Sequence, residues 1–97
     1  MERTWIADIN KEMDGKNVLL RAWAADVRDL AKIKFLLLRD MTGQVQAVAL
    51  KDNLSEDLFR DIGKIHPESV VEVEGVVKEN KTARLGYEIV VKNCKVL

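Results

Sequence analysis

Between Asn17 and Arg28 the residues NVLLRAWAADVR alternate with the two-residue period of a strand. Val18, Leu20, Ala22 and Ala24 share one face, and Arg21, Trp23 and Ala25 share the other. FLLLRD (Phe35 to Asp40) and QVQAVAL (Gln44 to Leu50) alternate in the same way. The short, glycine-containing link between them, Met41, Thr42 and Gly43, predicts a hairpin. In that hairpin Leu36, Leu38, Val45 and Ala47 lie on one face, leaving Phe35, Leu37, Arg39, Gln44, Gln46 and Val48 on a mixed, more polar one.

A change of period follows. Ser55 is placed to cap a helix whose first turn holds Glu56 and Asp57, with Leu58, Ile62 and Ile65 at core spacing and Pro67 beyond its end. VVEVEGVVK (Val70 to Lys78) and YEIVVKNCKVL (Tyr87 to Leu97) then alternate as a fourth and a fifth strand, joined by the polar loop Glu79 to Gly86. Shared strand phase predicts a core of Val18, Leu20, Leu36, Leu38, Val45, Ala47, Val71, Val73, Ile89 and Val91. Three strands, a helix and two strands, with a first strand long enough to cross both halves, predict an all-β fold. It is a five-stranded Greek-key OB barrel with one helix between strands three and four, an architecture that binds oligonucleotides or oligosaccharides.

Ninety-seven residues suit one domain, here residues 1–97, and are too few for a second lobe enclosing a reaction centre. No apolar run nears the roughly 18 to 20 residues of a membrane helix, and Glu2 and Asp8 stand where a signal peptide would be apolar, so a cytoplasmic protein is expected. Cys94 sits in an apolar-alternating stretch and reads as a buried, inert thiol. The 16 basic and 16 acidic residues cancel, but not locally. Residues 28 to 39 hold Arg28, Lys32, Lys34 and Arg39 against Asp29, whereas residues 52 to 61 hold Asp52, Glu56, Asp57 and Asp61 against Arg60.

Catalysis would need a nucleophile with its base, paired carboxylates in a cleft, or a metal cluster. The only histidine, His66, follows the predicted helix with no cysteine near it, and Glu72 and Glu74 read as solvated neighbours on one strand face. Gly43, Gly63, Gly75 and Gly86 stand alone and form no phosphate loop. No metal, no cofactor and no catalytic residue is expected. The informative set is Phe35, Arg39 and Gln46 on the polar face beside the basic stretch Arg28 to Lys34. Single-stranded bases need a stacking platform, an edge reader and phosphate partners together. Lys81 and Arg84, between strands four and five, are expected on the far side of the same groove.

RAWAADVRDLAKIKFLLLRDMTGQVQ, followed by VVEVEGVV and LGYEI, resembles the N-terminal anticodon-binding domain of archaeal-type aspartyl-tRNA synthetases, with relatives among the asparaginyl and lysyl enzymes. The resemblance runs from Arg3 to Leu97 and is most specific in RDL and KFLLLRDxTGxVQ. It implies that Phe35 stacks on the central anticodon base, a uracil, that Gln46 hydrogen-bonds that base, that Glu88 reads base edges from strand five, and that Arg28 steadies the tRNA backbone. The implied partner is the tRNA anticodon stem-loop, and the implied parent is a homodimeric aspartate–tRNA ligase whose catalytic domain is not in this chain. Ala22 and Ala24 stand where the family usually has Gly and Val, Ala31 where it usually has Gly, and Ala25 where it often carries an aromatic or histidine near the first anticodon base. Such a chain is an excised fragment, a free-standing relative or an engineered scaffold. The competing reading is an OB domain that binds a protein partner, which near-zero net charge would suit.

Overall fold

The computed structural model describes residues 2–97. Five strands form, β1 (Asn17–Asp29), β2 (Ile33–Asp40), β3 (Gly43–Leu50), β4 (Ser69–Glu79) and β5 (Tyr87–Val96), with one helix, α1 (Glu56–Gly63), between β3 and β4. They close into a barrel in the order β1-β2-β3-β5-β4, with β4 pairing back on β1. All pairs are antiparallel except β3 with β5, the parallel seam that closes the barrel through Ala47↔Ile89 and Val48↔Val90.

Strand β1 serves both halves. Residues Asn17 to Ala24 pair with β4, and residues Trp23 to Asp29 pair with β2. The ladder with β2 slips between Ala24 and Asp26, leaving Ala25 as an extra residue. This bulge bends the strand across the barrel and inverts the alternation beyond it. Ala22 lies in regular strand, and neither it nor Ala31 has a positive φ, so both alanines are accommodated without strain; Glu68, at φ 70°, is the only non-glycine there among the described residues.

All ten predicted core residues are buried, none more than 1% exposed. Burial on that scale contributes roughly 1.5 to 3 kcal/mol for each large aliphatic side chain. Strand β4 slips against β5 between Glu74 and Gly75, and a Cβ on Gly75 would lie 2.6 Å from both Ile89 Cγ2 and the Val90 carbonyl oxygen, so only glycine fits the crossing.

The barrel ends are closed by two different devices. At one end Ser55 Oγ accepts the Leu58 N–H at 3.1 Å and starts α1, whose buried side chains are Phe59 and Ile62, with Ile65 buried just past its end. The predicted Leu58 only packs against the core edge; Phe59, one position on, is the plug. At the other end the N-terminal segment contributes Ile6 and Ile9, which the strand pattern gives no reason to expect. Asp40 holds this segment by accepting the Ile6 N–H at 2.9 Å, and the buried Tyr87 hydroxyl donates to the Ile9 carbonyl at 3.1 Å.

Cys94 is buried, and desolvation pushes its thiol up to about 11. The thiol is expected to react with an aromatic disulfide reagent only after unfolding. Modification of the native protein at the rate seen in denaturant would contradict this packing.

Candidate nucleic-acid interface

Cross-strand register lays the outer face of β1, β2, β3 and β5 out in three rows. Arg28 faces Phe35, which faces Val48 and then Val90; Asp26 faces Leu37, which faces Gln46; Trp23 faces Arg39, which faces Gln44. Glu88 and Gln46 each precede the parallel pair Ala47↔Ile89 by one residue, so the carboxylate of β5 stands beside the carboxamide of β3. Phe35 is half-buried and lies outside the core cluster. It forms part of the outer surface and does not plug the barrel rim.

Arg28 reaches this face because of the bulge. Strict alternation from Val18 would turn Arg28 inward, but the extra residue Ala25 flips the phase, and the guanidinium lies over the Phe35 ring at 5.8 Å. Arg28 makes no ion pair among the described residues, nor do Lys32, Lys81, Arg84 and Glu88. Likewise no protein hydrogen bond engages the side chains of Gln44, Gln46 or Glu88 among the described residues, so their polar atoms are free to meet a ligand.

A depression of about 450 Å³ lies between this face and the loop joining β4 to β5. Leu37, Gln44 and Gln46 form one wall, and Thr82, Arg84 and Leu85 form another over Tyr87. Asn80 orders that loop, its side chain accepting from the Thr82 N–H at 3.0 Å and the Thr82 hydroxyl at 2.8 Å. Arg84 lines this depression together with Gln46. Lys81 is exposed in the same loop but does not line the depression, and Lys32 is exposed in the β1–β2 turn.

Lys34 is a correction. It is only 6% exposed, points inward with Leu36 and Leu38, pairs with Asp29 at 3.1 Å and sits 4.2 Å from the Phe59 ring centroid. A Cβ on Gly63 would come within 2.6 Å of its ammonium, so α1 closes directly over the pair. Lys34 joins the turn, the strand and the helix and takes no place on the outer face. Its parity carried the signal, since it alternates in phase with the core leucines. Arg39 is on the face but engaged, donating to Glu68 at 2.8 Å.

Elsewhere, Glu72 is no idle carboxylate. Lys95 at 3.1 Å, by its hydrogen bond first, and Arg21 at 3.4 Å hold it below the ordinary carboxylate range against the opposing effect of burial. Among the described residues no group of His, Cys, Asp and Glu is arranged to hold a metal ion, and no helix is long and apolar enough to cross a membrane. The face can therefore stack, accept and donate hydrogen bonds and present cations, which is the chemistry of recognition.

Known proteins share this shape. The aspartate–tRNA(Asp/Asn) ligase of Methanopyrus kandleri is 40% identical over 97 residues, covering 100% of this chain and 22% of the relative. Among solved structures, asparaginyl-tRNA synthetase of Pyrococcus horikoshii superposes with a TM-score of 0.93 at 37% identity, covering 100% of this chain and 22% of that one. Aspartyl-tRNA synthetase of Entamoeba histolytica gives 0.89 at 29% identity, covering 98% and 21%. This chain thus spans about a fifth of the length of those enzymes. Residues 18–97 match the tRNA anticodon family, described as an OB-fold nucleic acid binding domain, and the chain belongs to that family.

Proposed function

We propose that this chain is the anticodon-reading domain of an aspartate–tRNA ligase. One observation carries the reading: a free carboxamide, a free carboxylate and a half-buried aromatic ring, Gln46, Glu88 and Phe35, share one outer face with the cations Arg28 and Arg84, which are unpaired among the described residues. Phe35 offers a ring for the central anticodon base. Gln46 both donates and accepts and so complements a uracil edge, whereas a carboxylate at Glu88 accepts hydrogen bonds and suits an exocyclic amine or ring N–H. Arg28, Lys32, Lys81 and Arg84 answer the phosphates. Aminoacylation, the aspartate and ATP sites and any subunit pairing belong in this reading to the rest of the parent ligase.

The test is titration with an anticodon stem-loop carrying GUC, against the same loop with the central U changed to C. The GUC loop is expected to bind more tightly by a factor of about 5 or more, the scale of one specific polar contact. With about four phosphates met by unpaired cations, log K should fall against log salt with a slope of about −3. Equal binding of both loops removes the anticodon assignment, and salt-independent binding removes the phosphate contacts and favours a protein partner.

A further inference from the structure

Trp23 is an exposed tryptophan in the end row of a face whose working parts in the proposed reading are Phe35, Gln46, Glu88 and the flanking cations. It is 42% exposed and lies in register with Arg39 and Gln44 across β1, β2 and β3. We propose that Trp23 is a second stacking platform, taking a further nucleotide of the RNA strand whose central base is held at Phe35. The proposal rests on the anticodon reading and lengthens the RNA segment that the domain grips.

Three observations converge. The chain has five aromatic residues; Phe59 and Tyr87 are 7% exposed and belong to the core. Each of the remaining three, Trp5, Trp23 and Phe35, has a guanidinium near its ring: Arg3 at 3.8 Å, Arg39 at 5.8 Å and Arg28 at 5.8 Å. An aromatic face beside an arginine binds a base and its phosphate together. An apolar patch for a protein partner would have no need of one arginine per ring.

The row also repeats the chemistry of its neighbours. Ring, guanidinium and carboxamide recur as Trp23, Arg39 and Gln44, just as Phe35, Arg28 and Gln46 supply them across the two adjoining rows. From Phe35 to Arg39 is four residues of strand, about 13 Å, which a few nucleotides of single strand can span. Gln44, in register with Arg39 of the Trp23 row, also lines the depression shared with Gln46 and Arg84.

The third observation is strain. Glu68 holds a positive φ of 70°, unusual without glycine, while its N–H donates to the Ala24 carbonyl at 2.6 Å. That backbone lock places its carboxylate 2.8 Å from Arg39 and holds the guanidinium beside Trp23. Trp23 also lines a depression of about 320 Å³ together with Trp5, Met41, Val70, Arg3 and Arg21, which offers room for a base beside the ring.

The experiment uses the Trp5→Phe protein, in which Trp23 is the sole tryptophan, and follows its fluorescence during titration with a three-nucleotide GUC strand and with the complete anticodon loop strand. The longer strand is expected to quench Trp23 and to bind about 5- to 150-fold more tightly than the shorter, the range for one stacked base. Trp23→Ala, made in the wild-type background, should abolish that gain while leaving the affinity for the short strand and its dependence on Phe35 intact; Trp23→Phe should restore most of it. Phe35-dependent binding of both strands with an unquenched Trp23 and no loss in Trp23→Ala would overturn this proposal while the anticodon reading stands. Failure of the wild-type chain to bind either strand overturns both. Self-association that is lost in Trp23→Ala, without quenching by RNA, assigns the surface to a second copy of the chain and overturns the proposal too. Because the quenching is read with Trp23 in place, poor folding of Trp23→Ala cannot mask the result.

Discussion

Replacing Asp40 by alanine is expected to cost about 2 to 4 kcal/mol of folding stability, the range for breaking a buried charged hydrogen-bond network. The carboxylate is 6% exposed and accepts the N–H groups of Ile6 at 2.9 Å, Thr42 at 2.7 Å and Gly43 at 3.1 Å, together with the Thr42 hydroxyl. Alanine would leave three backbone donors short of a partner and release the segment carrying Ile6 from the mouth of the barrel. Asparagine is expected to recover only part of the loss, since its amide nitrogen would meet donors where the second carboxylate oxygen now accepts. Equilibrium urea unfolding of the three proteins at neutral pH measures the difference, and a loss for Asp40→Ala below about 0.5 kcal/mol would show that water replaces the carboxylate at no cost.

The same group gives the domain an acid dependence of known sign. Burial by itself raises the pKa of Asp40, but hydrogen bonds from the Thr42 hydroxyl and from the Ile6, Thr42 and Gly43 amides outweigh it, and the carboxyl stays below the ordinary range. A carboxyl whose folded pKa is depressed contributes stability that is fully present above its unfolded value of about 3.9 and is lost as pH falls through the folded value. Wild-type protein should therefore lose stability below about pH 4 more steeply than Asp40→Ala, and the two unfolding curves should converge in acid. Parallel curves would assign the acid sensitivity to other carboxylates.

Most of the barrel was legible because its core positions follow strand alternation over most of their length. Leu36, Leu38, Val45 and Ala47 alternate strictly, and each is at most 1% exposed. The illegible parts are those where period two fails or does not apply. Ala25 adds a residue to β1 and carries Arg28 from the inner to the outer phase; nothing in the alternation of small and polar residues there marks the slip. Lys34 failed differently, since its charge argued for solvent while its parity argued for the core, and parity prevailed because Asp29 and the Phe59 ring compensate the buried ammonium. Ile6 and Ile9 lie in short turns with no periodicity to read, and the depression under Arg84 depends on how a seven-residue polar loop folds back over β3. Of the candidate site, the face of β2 and β3 was readable from side-chain parity, while the neighbourhood of Gln46 and Glu88 was not, because it arises from the one parallel pairing between strands distant in sequence.

Phe35→Ala and Gln46→Ala are expected to impair RNA binding in different ways. The Phe35 ring is half-buried on the outer face, outside the core cluster, with Arg28 over it at 5.8 Å. Stacking on such a ring is nearly blind to base identity, so Phe35→Ala should weaken every anticodon loop by about 1 to 3 kcal/mol, roughly 5- to 150-fold in Kd, and should leave the ratio between U-centred and C-centred loops unchanged. Gln46 adds little stacking surface but can donate and accept at once, and its side chain stands free beside Glu88 and in the depression shared with Arg84. Gln46→Ala should therefore spare much of the affinity for the C-centred loop and collapse the preference for U, worth about 1 to 3 kcal/mol for one good base contact. Glu88→Gln is the complementary probe: it keeps the shape, removes the charge and adds a donor, so it should relax discrimination at the base Glu88 faces and slightly ease the approach of phosphate. Thermal melts of each variant separate binding from folding. If Phe35→Ala lowers the melting temperature but the folded fraction binds as before, the ring is structural; if the U-to-C ratio also survives Gln46→Ala, the face does not read the anticodon.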